Sequence, residues 1–195
     1  MKTLSILIMA IIILLGDYKQ EIEDFQKKMN SEFANADTSP LSKEDLTTFE
    51  GLNYYKIDES YKVEAELIIN DKPEQFGMKT TTSRRPIYIK YGTAIFSLQG
   101  KSLEIGIYKN IELSKKEQYK DYLFLLFTDK TSGVTSYGGG RYIDLKIPKD
   151  GEKFIIDFNK AYNPYCAYNH RYSCPIPSND DYLDLAVKAG VMKFH

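Results

Sequence analysis

Between Gly51 and Phe158 the chain is a succession of short β-rich runs broken by turn residues, and no helical period interrupts it. Val63 to Ile69 alternates loosely between apolar and polar residues, as a half-buried strand does. Ile87 to Tyr91 and Ala94 to Leu98 are β-rich, and Gln99-Gly100 joins the second of them to the run Ser102 to Tyr108. A tight hairpin is expected at that Gln-Gly pair. Tyr122 to Phe127 is continuously apolar and short enough to be a strand covered on both faces. Arg141 to Ile147 and Lys153 to Phe158 flank Pro148-Lys149-Asp150-Gly151, a second hairpin signal of the Asp-Gly type. Such strands must bury their apolar faces against one another. The prediction is a mainly β fold, an antiparallel β-sandwich or open barrel with one or two N-terminal helices.

The helices belong upstream. Ile22, Phe25, Met29 and Phe33 recur at three- and four-residue steps with Lys, Glu and Gln between them, which predicts an amphipathic helix over Asp17 to Phe33 lying on the sheet. Ser39-Pro40 breaks the chain, and Ser42 offers an N-cap for a second short helix near Asp45 to Phe49. Residues 1–16 read differently. Lys2 precedes an almost unbroken apolar run from Leu4 to Leu15, shorter than the roughly 20 residues a membrane-spanning helix needs. This segment is expected to be a signal peptide, with an uncleaved N-terminal anchor as the alternative. The expected organisation is therefore 1–16 as signal peptide or anchor, 17–50 as a helical segment and 51–195 as one β domain. The expected location is outside the cytoplasm, in the periplasm or cell envelope. Membrane contact is expected only through the apolar segment, if it stays uncleaved.

Charge excludes one class of function. The chain carries 26 basic and 27 acidic residues with no basic run, so no nucleic-acid partner is expected. Tyrosine is abundant, with 16 residues, and suits half-buried sheet surfaces where the ring packs and the hydroxyl stays wet.

Three adjoining segments carry the candidate chemistry. Gly138-Gly139-Gly140 followed by Arg141 could present backbone N–H groups and a guanidinium to an anion, but it lacks phosphate-loop spacing, and a tight corner is the favoured reading. Asp157, Asn159 and Asn163 are short polar residues at a strand end, suited to fixing an irregular loop. The functional alternative places Arg141, Asp157, Asn159 and Asn163 around one pocket, with Asp157 as an acid–base residue or a substrate clamp. The two cysteines, Cys166 and Cys174, are expected to form a disulfide in an exported protein. Closing so short a loop would stabilise by about 2.5 kcal/mol. Free buried thiols come second. His170, midway between them, raises a C-x3-H-x3-C zinc option and a Cys–His nucleophile option, both weakened by flanking prolines and the lack of a fourth ligand. No metal and no cofactor is expected.

The same segments carry a resemblance. Phe127, Asp129, Thr131-Ser132-Gly133, Thr135, Tyr137 to Tyr142, Asp157 to Pro164, Cys166-Ala167-Tyr168, Cys174-Pro175-Ile176-Pro177 and Ala189-Gly190 together resemble domain-of-unknown-function family 1684. The likeness is dense over the last third of the chain and looser back to about Gly51. It implies an uncharacterised group of bacterial proteins with secreted and lipid-anchored members, and it carries no established activity. The chain departs from the family tail C-P-x-P-P-x-E-N, having Ser178, Asp180 and Asp181 in place of the second Pro, the Glu and the Asn. His170 lies outside the family pattern. The expected function is a non-catalytic cell-envelope module that binds a small molecule or glycan, or plays a structural part. The alternative is a hydrolase-like enzyme using Arg141 and Asp157.

Overall fold

A computed structural model describes the backbone of residues 2–195 and the side chains from Tyr18 onward. The signal peptide or anchor expected over 1–16 lies outside those described side chains. Among the described residues no helix is long and apolar enough to cross a membrane.

Eight strands form one sheet: β1 (Lys62–Ile69), β2 (Gln75–Gly77), β3 (Ile87–Leu98), β4 (Lys101–Asn110), β5 (Tyr122–Asp129), β6 (Arg141–Lys146), β7 (Phe154–Asp157) and β8 (Tyr182–Leu183). The main path runs β6-β5-β4-β3-β1-β7, all antiparallel, with β2 on β3 and β8 parallel to β5. The path curls until its two ends approach, giving a nearly closed barrel. Helix α1 (Lys2–Ala34) lies outside it, and α2 (Lys43–Thr47) starts directly after Ser42, whose side chain accepts from the Asp45 N–H.

The two β-rich runs on either side of Gly92 are a single twelve-residue strand. Its register against β4 slips between Lys90 and Gly92, and a Cβ at Gly92 would sit 2.5 Å from the Ile68 carbonyl oxygen. Only glycine lets β1 approach so closely there. The Gln99-Gly100 hairpin forms as expected, with Leu98 facing Lys101.

The Asp-Gly hairpin does not form. A turn exists, with the Glu152 N–H donating to the Lys149 carbonyl, but β6 and β7 stand at opposite ends of the sheet path. β6 pairs with β5 and β7 with β1. The free edge of β6 is then taken by the segment that follows β7: Tyr142 and Tyr162 exchange both backbone hydrogen bonds, at 2.8 and 2.9 Å. Phe158, fully buried in the same segment, fills the interior beneath this seam.

Side-chain alternation builds two apolar layers. Leu123, Leu125 and Phe127 of β5 point inward with Ile143 and Leu145 of β6 and with Ala94, Phe96, Ile105, Ile107 and Ile156. Phe124 and Leu126 point outward and join Tyr88, Tyr108, Tyr142 and Met78 in a second, aromatic-rich layer. β5 therefore runs apolar throughout because both of its faces are covered.

α1 covers the seam. Ile22 and Phe33 are buried and Phe25 and Met29 half-buried, at the helical spacing read from the sequence, and Tyr18 is buried one turn before Ile22. The Tyr18 hydroxyl donates to Asp157, and Glu21 pairs with Lys160 at 2.5 Å and Lys62 at 3.9 Å. Phe33 packs edge-on against Tyr168, with ring centres 4.8 Å apart.

Candidate functional site

Arg141 and Asp157 belong to opposite faces of the sheet and form no common pocket. In register, Arg141 lies opposite Phe127, so it points into the barrel; Asp157 follows the inward-facing Ile156, so it points out. Arg141 is fully buried. One Nη2 hydrogen goes to Asp129 Oδ2 at 2.6 Å and another to the Val187 carbonyl at 2.8 Å, while Nη1 donates to the Ala189 carbonyl at 2.5 Å. The guanidinium carbon lies 5.1 Å from the centre of the Phe127 ring. Asp129 in turn accepts from the Thr131 N–H and hydroxyl. Burial pulls the Arg141 pKa down, and the Asp129 carboxylate opposes that pull. The arginine thus ties β6 to the C-terminal strap instead of facing a ligand. Gly140, directly before it, has φ +90°, and a Cβ there would meet the Phe127 carbonyl oxygen and the Pro177 ring at 2.7 Å. The glycine run is a tight corner.

Asp157 caps the turn Phe158–Lys160 through the Asn159 N–H, at 3.0 Å, and accepts from the Tyr18 hydroxyl at 3.1 and 3.2 Å. Asn159 donates to Tyr18, to the Asp58 carbonyl and to Asp157. Burial, then the neighbouring carboxylate, pushes the Tyr18 pKa far up, so this phenol stays a donor. Asn163 donates to the Met192 carbonyl at 2.9 Å. These side chains hold the helix, the seam and the C-terminal strap together. Asp157 touches one surface depression, at the seam, lined mostly by charged residues such as Lys62, Asp121, Lys146 and Lys160.

The expected disulfide is absent. Cys166 and Cys174 are free and buried, and Cys174 Sγ accepts from the Cys166 N–H at 3.2 Å. Both sulfurs sit in the aromatic layer, where backbone and thiol hydrogen bonds take the place of a covalent link. Hydrogen bonding from Cys174 lowers the Cys166 pKa; the same bond, with burial, raises that of Cys174. His170 is exposed, and among the described residues no group of His, Cys, Asp and Glu could hold a metal ion.

The concavity that combines aromatic walls with an available charge lies elsewhere. A groove of about 520 Å³ runs between α1 and the outer face of the sheet. Tyr88, Phe124 and Tyr142 form its floor, Phe25, Met29 and Phe33 its helical wall, and Tyr162, Tyr165, Tyr172 and Pro175 its opposite rim. The rings pack edge to face: Phe124 on Tyr142 at 4.8 Å, Tyr142 on Tyr162 at 5.8 Å and Tyr165 on Tyr172 at 5.2 Å. Asp144, on the same outward face of β6 as Tyr142, is an exposed carboxylate that lines both this groove and the seam depression, as does Tyr122. Its Oδ1 accepts from both Tyr122, at 2.7 Å, and Tyr162, at 2.6 Å. Burial, then Asp144, drives the Tyr122 and Tyr162 pKa values well up, which keeps both phenols neutral.

None of these groove residues stood out as a site in the sequence. They come from α1, β3, β5, β6 and the loop after β7. The available signal was the outward alternation Tyr142-x-Asp144 on a strand whose other face carries Ile143 and Leu145.

The family model described as "Protein of unknown function (DUF1684)" matches residues 47–192. The chain belongs to this family. Among solved structures it is similar to the solution NMR structure of an uncharacterised protein from Haloarcula marismortui, with 32% identity and a TM-score of 0.70 over 91% of this chain and 95% of that one. No curated protein matches. Arg141, Asp157 and Asn163 make contacts that hold the fold together, whereas the groove takes Tyr142 of its floor and Tyr162 and Pro175 of its rim from the segments that carry the resemblance.

Proposed function

We propose that this member of the family is a non-catalytic module of the cell envelope that binds a small ligand in the tyrosine-lined groove. The observation that carries the reading is the groove itself. It is a half-open aromatic concavity with one carboxylate held in place by two phenols, the mix of apolar walls and few fixed polar groups that ligand sites share. Its volume suits a small molecule or one or two sugar rings. A hydrolase centred on Arg141 and Asp157 draws no support from a guanidinium sealed inside the barrel and a carboxylate committed to Tyr18 and Asn159. Export is supported by the apolar run Leu4 to Leu15 behind Lys2.

The test is a solution NMR titration of the protein, from Asp17 on, with three probes: choline, glucose and benzoate at millimolar concentration. At least one should shift the amide signals of Tyr142, Asp144, Tyr162 and Cys174 in a saturable way and be recovered unchanged. Silence of these signals with all three probes, or conversion of a probe, would overturn the reading.

A further inference from the structure

We infer that the groove selects an organic monocation, a small molecule bearing a primary or quaternary ammonium group. The inference rests on the reading of the groove as a binding site. Both phenol donors to Asp144 fall on its Oδ1, and Oδ2 accepts no hydrogen bond from the described residues. No lysine, arginine or histidine nitrogen among the described residues lies within 4.0 Å of this carboxylate, although it sits on a wall of aromatic rings. Of the three cations on its seam side, Lys62 and Lys160 are engaged by Glu21, and Lys146 makes no ion pair with Asp144 within 4.0 Å. At the helical mouth, Lys28 pairs with Glu32 at 3.9 Å, so α1 adds no net charge. Asp144 leaves the groove with a charge of about −1.

The hydroxyls give the same sign. Tyr122 and Tyr162 spend their protons on Asp144, and Tyr142 donates to the Pro175 carbonyl. Towards a ligand these groups offer lone pairs and ring faces instead of N–H or O–H donors. A carboxylate or phosphate ligand would meet a repelling charge at Asp144, whatever it gained from the rim hydroxyls of Tyr165 and Tyr172. An ammonium group finds a counter-charge, acceptors and the negative faces of several rings, the combination that recognises organic cations. The phenols stay neutral far above physiological pH, so the arrangement persists across that range.

Isothermal titration of the folded protein with choline, butylammonium and 3,3-dimethylbutan-1-ol, the uncharged carbon isostere of choline, tests this. One of the two cations should bind saturably, and the isostere at least about tenfold more weakly, as loss of a cation–π and charge contact implies. Asp144→Asn should weaken the cation about tenfold, with the fold retained and a modest fall in melting temperature as two charge-assisted hydrogen bonds become neutral ones. Tyr165→Ala, at an exposed ring, should weaken it several-fold and guards against an unfolded Asn variant. If the isostere binds as tightly as choline and Asp144→Asn changes nothing, the charge selection is overturned while the groove stands as a binding site. If no cation binds but glucose or benzoate moves the groove signals, the cation inference again fails alone. Silence from every probe removes both.

Discussion

Tyr162 holds Asp144 in place from a different part of the chain: its hydroxyl donates to Oδ1 at 2.6 Å while its backbone closes the barrel seam against Tyr142. Closing the fold and placing the carboxylate are one act. Tyr162→Phe should keep the backbone pairing and lose one charge-assisted hydrogen bond, costing about 1–2 kcal/mol. Urea unfolding measures that loss. A far larger loss would mean the phenol also supports the core.

The Arg141–Asp129 pair should behave as a buried structural unit. With side chains 1% and 0% exposed, removing either partner leaves a charge stranded in the interior. Arg141→Ala and Asp129→Ala should each destabilise by about 3–5 kcal/mol, and the double variant by clearly less than their sum. Additive costs in a double-mutant cycle would show that the two residues act independently.

Thiol counting decides the state of the cysteines. Denatured, unreduced protein should give two titratable thiols, because Cys166 and Cys174 are both free. Zero would establish the covalent bridge that the structure lacks.

Alkali should unfold the protein cooperatively. Burial raises the pKa of Tyr54, Tyr142 and Tyr168, and burial together with a nearby carboxylate raises that of Tyr18, Tyr108, Tyr122 and Tyr162. In the unfolded chain these phenols ionise near pH 10, while in the fold they hold their protons. Above that pH the folded state binds more protons than the unfolded one. Stability is therefore fully present below about pH 10 and falls as pH rises, by up to about 1.4 kcal/mol per unit for each such tyrosine. Phenolate absorbance should appear together with loss of far-UV structure. A smooth, independent titration near pH 10 with the fold intact would contradict this.

Much of the architecture was legible in the residues. The two-residue alternation of Val63 to Ile69, the apolar Tyr122 to Phe127 and the spacing of Ile22, Met29 and Phe33 gave strands, a doubly covered strand and a helix face, because burial acts directly on those periods. Pairing was less legible. Asp150-Gly151 fixes a local bend, but which edges join is a contest over the whole sheet, and Tyr162 won the edge of β6 that a hairpin would have used. The spacing of Cys166 and Cys174 says nothing about where their sulfurs point. Arg141 and Asp157 looked like pocket partners until strand register placed them on opposite faces. The groove was hidden for a related reason: Tyr88, Tyr122 and Asp144 each read as ordinary strand residues and Tyr162 as part of a family segment, and only the curl of the sheet brings them together.

The most direct measurement of the central claim is an intermolecular NOE experiment on the protein with choline. The trimethylammonium protons should show contacts to ring protons of Tyr142, Tyr162 and Tyr172, and these should vanish in Asp144→Asn. Contacts confined to another surface, or contacts that persist unchanged in the Asn variant, would contradict the account.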